Sequence, residues 1–263
     1  IIKRAQQKAI RDLKAARLVY EEEIDRIGKN LQIIDTDLPD AKIMQQLKLD
    51  YLLTAKNPQQ VKSEIAKKVF RTAKPAGGTR IIPNEQLKQI QTGLIDNIKI
   101  NIKPTPRAEP TDKKVLTDAM AKEYAIPVTD STGNILKVIY GGRIINRDFS
   151  LVDRIRQLVY GNETYNKKPV GTVTIFQNDT RISTNVLNKQ GQRAIGTRVS
   201  SEVYNRVVRQ GKIWQDRAFV VTHWYKTAYE PIKNINGEII GILYVGVLEI
   251  GRASCRERVC HRV

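Results

Sequence analysis

One sixteen-residue pattern occurs twice in the chain, at residues 127–142 and 231–246. Each copy has a proline, a glycine, a tyrosine and a second glycine at the same spacing: Pro127, Gly133, Tyr140 and Gly142, then Pro231, Gly237, Tyr244 and Gly246. Each predicts a strand, a polar turn ending in glycine, and a buried strand, because glycine supplies the positive φ of hairpin turns. The repeat indicates two related α+β modules in tandem. Chance similarity between two ordinary hairpins is the alternative.

The last segment, residues 250–263, has no apolar period and no turn residues that would continue the preceding strand. It resembles an adapter sequence read through in frame, so we expect it not to be native and set it aside. The start at Ile1 also indicates a fragment. The segment holds both cysteines, Cys255 and Cys260, whose spacing does not fit haem attachment. A cysteine-free remainder fits an oxidising, extracytoplasmic space.

The chain is strongly basic, with a formal net charge of +18. Four arginines and one glutamate of the final segment account for three of these charges, which leaves +15. The basic residues are spread along the chain, and no helix-turn-helix, zinc-finger or RNP-type motif accompanies them. This distribution favours a solvated surface suited to anionic ligands or an anionic membrane. A protein that binds nucleic acid or another polyanion is the alternative.

Catalytic motifs are missing from the sequence. Outside the final segment there is one histidine, no cysteine, no Walker-type loop, no zinc-protease motif and no nucleophile elbow. We therefore predict no enzyme activity, no cofactor and no metal site. No apolar run is long enough to cross a bilayer, and residues 239–247 predict a buried strand. The length allows two domains of ordinary size.

Apolar residues near the N-terminus follow alternating steps of three and four, with Arg17 filling the one missing place, which is a heptad seam. They are Ile10, Leu13, Tyr20, Ile24, Ile27, Leu31 and Ile34. The pattern predicts one helix over residues 3–34, about 50 Å long. The seam could form a homodimer, could pack on the chain's own sheet, or could do both. A structural coiled-coil adaptor built on residues 10–34 is a further interpretation.

The remaining pattern alternates helices and strands. Helices are predicted at 40–53, 59–72, 85–97, 147–160 and 200–210. A loop is predicted at 74–83, and the proline-rich stretch 103–110 is predicted to be extended. Strands are predicted at 171–176, 181–186, 217–221, 225–231 and 238–247. Two strands, a helix and three strands are typical of a PAS-like module.

Several motifs in both halves carry a family resemblance. Residues 174–186 (TIFQNDTRISTNV) resemble the signature of the Cache superfamily in its fused double form, of Cache-three/Cache-two type. Residues 193–200, 227–232 and 240–247 add to it, as do 78–83, 104–106 and 140–142 nearer the N-terminus, and 146–147 and 152–155 between the two groups. The segment 43–80 departs from the pattern because it looks short of strands, which puts a ligand pocket in the distal module in doubt.

The resemblance implies an α+β fold in which a long N-terminal helix precedes two tandem PAS-like modules with antiparallel sheets. We expect a signalling helix at 1–38, a membrane-distal module at 39–145, and a linker helix with the membrane-proximal module at 146–249. Such domains are extracytoplasmic or periplasmic sensors of histidine kinases (two-component systems) and chemotaxis receptors. They bind small molecules between two membrane spans, which here would lie outside the fragment.

The predicted ligand site is a cup in the second module. Arginine suits a carboxylate because its guanidinium meets both oxygens, and aromatic side chains would wall the cup. The predicted residues are Arg181, Thr184, Asn185, Arg198, Trp214, Arg217, Trp224, Tyr225 and Tyr229. For each arginine, a solvated position or a structural ion pair is the alternative, and the motif residues could equally hold a turn. The partner predicted is a small anionic metabolite rather than nucleic acid.

Overall fold

The structure is a computed structural model. It describes residues 2–33, 40–90, 94–165, 168–221 and 223–249. The final segment 250–263 lies outside the described residues. Among those described, no helix combines the length and apolar character needed to cross a membrane.

The N-terminal helix α1 spans Ile2–Ile33, which corresponds to about 48 Å. Its heptad seam faces the chain's own core, because Leu13, Tyr20, Ile27 and Leu31 are all buried. The helix contacts strands of both large sheets. The seam is therefore used within the chain, as the packing alternative predicted, and Ile34 lies outside the described residues.

The other helices are short and lie on the faces of the sheets. They are α2 (Asp40–Leu47), α3 (Glu64–Thr72), α4 (Asn84–Ile90), α5 (Leu94–Ile98), α6 (Ser150–Tyr160) and α7 (Ser201–Tyr204). A 3₁₀ turn covers Pro58–Gln60, and a π-helical turn at Asn205–Arg209 continues α7. Ser200 begins α7 as predicted: its hydroxyl accepts a hydrogen bond from the Val203 N–H.

Two antiparallel sheets form the body of the protein. The distal sheet has the order β1-β6-β5-β2, formed by Tyr51–Ala55, Ile135–Ile144, Ala119–Thr129 and Ala76–Ile82. The proximal sheet has the order β10-β9-β13-β12-β11, formed by Thr180–Thr184, Gly171–Gln177, Ile239–Leu248, His223–Lys233 and Trp214–Val220. Small ribbons pair β3 (Ile100–Asn101) with β4 (Val115–Leu116) and β7 (Thr164–Tyr165) with β8 (Lys168–Pro169). The predicted fold class is confirmed.

The sequence repeat is also a structural repeat. Ala125 pairs with Tyr140 across β5 and β6, and Tyr229 pairs with Tyr244 at the matching position of β12 and β13. Each hairpin has its register shift at the same place, just before Thr129 and just before Lys233. The two hairpins therefore share pairing and irregularity, which ordinary hairpins have no reason to share.

Two predictions for the distal half were wrong. The helix predicted at 40–53 ends at Leu47, Lys48 adopts a left-handed φ of 53°, and β1 follows. The loop predicted at 74–83 is the edge strand β2. Residues 43–80 thus contain two strands of the distal sheet, and the expected shortage of strands does not exist.

One continuous core joins the two sheets. It contains Leu13 and Tyr20 from α1, Met120 from the distal sheet, and Val173 and Leu243 from the proximal sheet. The Tyr20 hydroxyl also lies 2.8 Å from the Thr79 hydroxyl of β2. Helix α1 thus packs against both sheets, so a displacement of either sheet would change its packing.

Candidate functional site

A cavity of about 680 Å³ lies between the proximal sheet, helix α7 and the segment 104–107. We call it the proximal cavity. Six of the nine predicted ligand-binding residues line it: Arg181, Arg198, Trp214, Arg217, Trp224 and Tyr229. They come from β10, β11, β12 and the loop before α7, so the sheet brings together residues that are far apart in sequence.

Arg181 is the most unusual residue of the cavity. It lies on β10 and is only 5% exposed, yet its Nε and Nη1 have no hydrogen-bond partner among the described residues. Its guanidinium carbon lies 5.3 Å from the centre of the Phe176 ring. Burial lowers the pKa of Arg181 from its usual value, but a guanidinium remains protonated. The cavity therefore contains a buried cation that no described carboxylate neutralises.

The other two predicted arginines already have partners. Arg198 donates from Nε to Asp179 Oδ2 at 2.8 Å and from Nη1 to the Glu109 carbonyl. Arg217 pairs with Glu249 and lies over the Trp224 ring, 4.4 Å from its centre. The alternative of a structural ion pair thus describes Arg198 and Arg217, but not Arg181.

Aromatic rings form the wall beside Arg181. The rings of Trp214 and Tyr229 meet edge to face with centroids 5.4 Å apart, and Tyr229 lies 4.7 Å from Tyr244. The Trp214 indole N–H donates to Glu202 Oε1 at 3.1 Å. Burial raises the pKa of Tyr229 to about 12, so this phenol stays neutral and cannot act as the counter-ion of Arg181.

Three predicted residues do not line the cavity. The Thr184 hydroxyl lies 2.6 Å from the Thr174 hydroxyl inside the sheet. Asn185 holds the neighbouring strand: its Oδ1 accepts from the Val173 N–H and its Nδ2 donates to the Gly171 carbonyl. Tyr225 is buried in the apolar cluster that also contains Tyr229 and Phe176. Thr184 and Asn185 therefore hydrogen-bond to the backbone of neighbouring residues, which agrees with the alternative that the motif residues have a structural role.

Sequence reasoning missed one wall of the cavity. The stretch predicted to be extended, 103–110, contains no helix or strand and crosses to the proximal half. Lys103 N–H donates to the Gly196 carbonyl at 2.9 Å, and Ser201 N–H donates to the Arg107 carbonyl at 2.7 Å. The prolines were a signal for extended backbone, but not for its position. Glu202 and Phe176 were also missed.

The charges that line the proximal cavity are unbalanced. Four arginines stand against a single carboxylate among the described lining residues; the arginines are Arg107, Arg181, Arg198 and Arg217, and the carboxylate is Glu202. Counting the external partners Asp179 and Glu249 still leaves the cavity positive. This arrangement can hold an anionic group against Arg181 and an apolar group against the aromatic wall.

The distal sheet has a buried polar cluster of a different kind. Glu123 is fully buried and accepts hydrogen bonds from the Tyr51 hydroxyl at 2.7 Å, from Arg80 Nη1 at 3.0 Å and from the Ser63 hydroxyl. Arg80 also donates to Gln86 at 2.7 Å. The coulombic attraction of Glu123 raises the pKa of Arg80 against the opposing effect of burial. We call this group the distal network, and its charges satisfy one another.

Comparison with protein families finds one match, in the C-terminal part of the chain. Residues 143–253 match the model of the family described as single Cache domain 3. The match confirms the predicted Cache resemblance for these residues, which contain the proximal sheet; the segment 104–107, which also lines the proximal cavity, lies outside the match. No curated protein matches the chain.

Solved structures with a similar fold have low sequence identity. The periplasmic domain of LuxQ from Vibrio cholerae is 9% identical, with a TM-score of 0.46, and the match covers 92% of this chain and 98% of that one. The periplasmic sensory domain of the Campylobacter jejuni chemoreceptor Tlp1 is 11% identical, with a TM-score of 0.36 and 92% of both chains covered. The ligand-binding domain of the Pseudomonas aeruginosa amino acid chemoreceptor PctB, in complex with L-Arg, is 9% identical, with a TM-score of 0.36 and 98% and 96% covered.

Proposed function

We propose that the Cache domain of residues 143–253 is the sensing part of a membrane signal-transduction receptor, and that it binds a small anionic metabolite in the proximal cavity. The observation that carries this proposal is the buried Arg181 guanidinium at the wall of the cavity, whose Nε and Nη1 have no hydrogen-bond partner among the described residues. A buried charge without a partner costs several kcal/mol. A carboxylate placed against Nε and Nη1 would remove that cost.

The same proposal assigns the remaining functional features. The domain would stand outside the cytoplasm, between membrane spans in the full receptor, and its output would be a kinase or a chemotaxis pathway. It would have no catalytic role of its own. Binding would favour one of two existing arrangements of the proximal sheet, and α1 would carry the displacement.

A homodimer through α1 belongs to this proposal, but with a different contact face. The buried seam is occupied by the chain's own core, so pairing would have to use the exposed face that carries Leu18, which is 65% exposed. Sedimentation of the full chain with Leu18→Glu beside the unchanged chain tests this. A dimer that the substitution leaves intact would place the contact elsewhere.

The deciding experiment is a thermal-shift screen of the full chain against amino acids, monocarboxylates and dicarboxylates. A ligand at about 100 times its dissociation constant adds about 2.7 kcal/mol, which is several degrees for a chain of this size. We expect a shape-selective hit that Arg181→Met abolishes. Arg71→Met makes the same change of charge on an exposed helix end and should keep the hit.

Other outcomes would contradict the proposal. If only DNA or heparin shifts the melting temperature and added salt removes the shift, the basic surface is the function and the polyanion alternative holds. If a carboxylate binds equally well to the Arg181→Met variant, the ligand site lies outside the proximal cavity.

A further inference from the structure

A second cavity, of about 380 Å³, lies where α1 meets α2, the distal sheet and α6. It shares no lining residue with the proximal cavity. We call it the junction cavity. Because it touches the signalling helix and both halves of the chain, a molecule bound there would hold three parts of the fold together.

The junction cavity is lined by more cations than anions. Five basic side chains face it, and Glu23 is the single carboxylate among the described lining residues. The basic residues are Arg26, Lys48, Lys122, Arg143 and Arg154. Three acids just outside the lining do not balance the five cations even together with Glu23: Asp148 pairs with Arg143 at 3.3 Å, Glu22 lies 4.0 Å from Arg154, and Asp50 interacts electrostatically with Arg143 and Lys122.

Glu23 is already engaged by two of these cations. It is 4% exposed; Arg26 Nη2 donates to its Oε2 at 2.7 Å, and Arg154 Nη1 donates to its Oε1. Both carboxylate oxygens are therefore occupied by guanidinium groups. A third cation at this place has to share an oxygen that already accepts a hydrogen bond from a guanidinium.

Lys122 is that third cation. Its side chain is 2% exposed, and its Nζ lies 4.0 Å from Glu23 Oε2, which is beyond hydrogen-bond distance. Its direct cross-strand neighbour on β6 is Arg143, and like charges opposite each other destabilise a sheet. Burial lowers the pKa of Lys122 to about 8, and Glu23 is the main opposing influence. An ammonium in this position gains from any further anion.

We propose that the junction cavity is a second binding site, which takes a small multivalent oxyanion of the phosphate type. Lysine binds such an anion as a point charge. Arg143 and Arg154 already pair with Asp148 and Glu23, but each guanidinium has five N–H donors and so has donors left for the oxygens of the anion. A monocarboxylate offers too few oxygens for three cations from separate elements. The ligand would bridge β5, β6 and α6 beside Glu23 of α1. A bound ligand would therefore restrict movement of α1 relative to the distal sheet and α6.

The test is calorimetric titration of the full chain with inorganic phosphate, with sodium chloride at matched ionic strength as the blank. Lys122→Met should weaken phosphate binding about tenfold or more, since hydrogen bonds to charged groups are of that size. A second titration with glycerol 3-phosphate distinguishes a site for inorganic phosphate from a site for a phosphomonoester. Only a phosphomonoester site would bind glycerol 3-phosphate as tightly as phosphate or more tightly.

Two controls keep the result interpretable. Lys67→Met removes a positive charge from an exposed lysine on α3 and should leave phosphate binding unchanged. Lys48→Met alters an exposed wall residue, so it keeps the fold if Lys122→Met does not, and should weaken binding by about two- to fivefold. The proposal would be overturned if Lys48→Met and Lys122→Met bound phosphate with equal affinity, or if sodium chloride gave the same heat of binding as phosphate. Arg181→Met should not affect phosphate, so failure here and failure of the proximal site are separate results.

Discussion

Glu123 of the distal sheet and Arg181 of the proximal sheet are both buried charges, but their surroundings differ. Glu123 is surrounded by donors from the chain itself: Tyr51, Ser63 and Arg80. Arg181 is surrounded by an aromatic ring and neutral phenols, and two of its nitrogens have no partner. A charge that the chain satisfies stabilises the fold, whereas a charge left unsatisfied beside a cavity is available to a ligand. Two related sheets can thus each bury a charge with opposite consequences: in one the buried charge stabilises the fold, and in the other it is left for a ligand.

The largest effect is expected from breaking the distal network. Glu123→Gln leaves Arg80 buried without its carboxylate, so the free energy of unfolding should fall by about 3–5 kcal/mol. Urea denaturation measures this. Asp96→Asn removes an exposed acid that pairs with Lys99 and should cost less than about 1 kcal/mol. A loss of similar size in both variants would show that the network is not what holds the distal sheet.

A smaller effect should separate the two copies of the repeat. A Cβ at Gly142 would lie 2.3 Å from the Lys122 carbonyl, whereas one at Gly246 would meet the Tyr244 hydroxyl, the end of a side chain, at 2.2 Å. Backbone moves less readily than a side-chain tip, so Gly142→Ala should cost more than Gly246→Ala, with both near about 1–3 kcal/mol. Thermal melts decide the order.

The turn glycines are the control for this pair. Gly133 and Gly237 have φ values of 88° and 86°, with open space around each. Alanine should cost the same at both, about 1 kcal/mol. If the turn glycines differ as much as the strand glycines, the difference between the repeats does not come from close contacts.

Replacement of Arg181 should have the opposite sign. With no ligand present, Arg181→Met removes an uncompensated buried cation, so the free energy of unfolding should stay unchanged or rise by up to about 2 kcal/mol. Chemical denaturation without added ligand checks this. A loss comparable to that of Glu123→Gln would mean that Arg181 is structural and that the two buried charges serve the same purpose.

The remaining prediction concerns the pH dependence of stability at the contact between α1 and β12. Burial raises the pKa of Glu230 to about 7, against the opposing effect of Arg17. Because the folded state holds this proton more tightly than the unfolded state does, the stability it contributes is complete below about pH 4.5. It should be lost as the pH rises to about 7. Glu230→Gln should flatten this part of the stability curve, and Glu238→Gln, on the exposed turn, should not.

The repeat made the proximal half of the fold predictable. Its five strands and α7 follow the predicted order, because apolar runs alternate with polar turns. Strands β1 and β2 were missed for physical reasons. Helix α2 ends without glycine or proline before β1. Gly77 lies inside β2, where the Tyr124 ring packs 2.3 Å from the place a Cβ would occupy. In sequence, the pair Gly77-Gly78 is typical of a loop.

The cavity was predictable in part. Arginine and aromatic residues on predicted strands pointed to Arg181, Trp214 and Tyr229, but the sequence did not show which arginine lacked a partner. A register shift between Arg181 and Ser183 also breaks the alternation of the strand, so the face of Thr184 could not be counted from Arg181. Which charges are paired is a property of the tertiary contacts.

Helix α1 contacts both sheets along its length, and this has a thermodynamic consequence. If a ligand in the proximal cavity changes the affinity of α1 for another molecule, then binding of that molecule to α1 must change the affinity of the cavity for its ligand by the same factor. Reciprocity of this kind does not depend on the ligand's identity. Ligand affinity measured on the isolated chain should differ from the affinity measured where α1 is held in place, and the logarithm of their ratio, multiplied by −RT, is the coupling free energy.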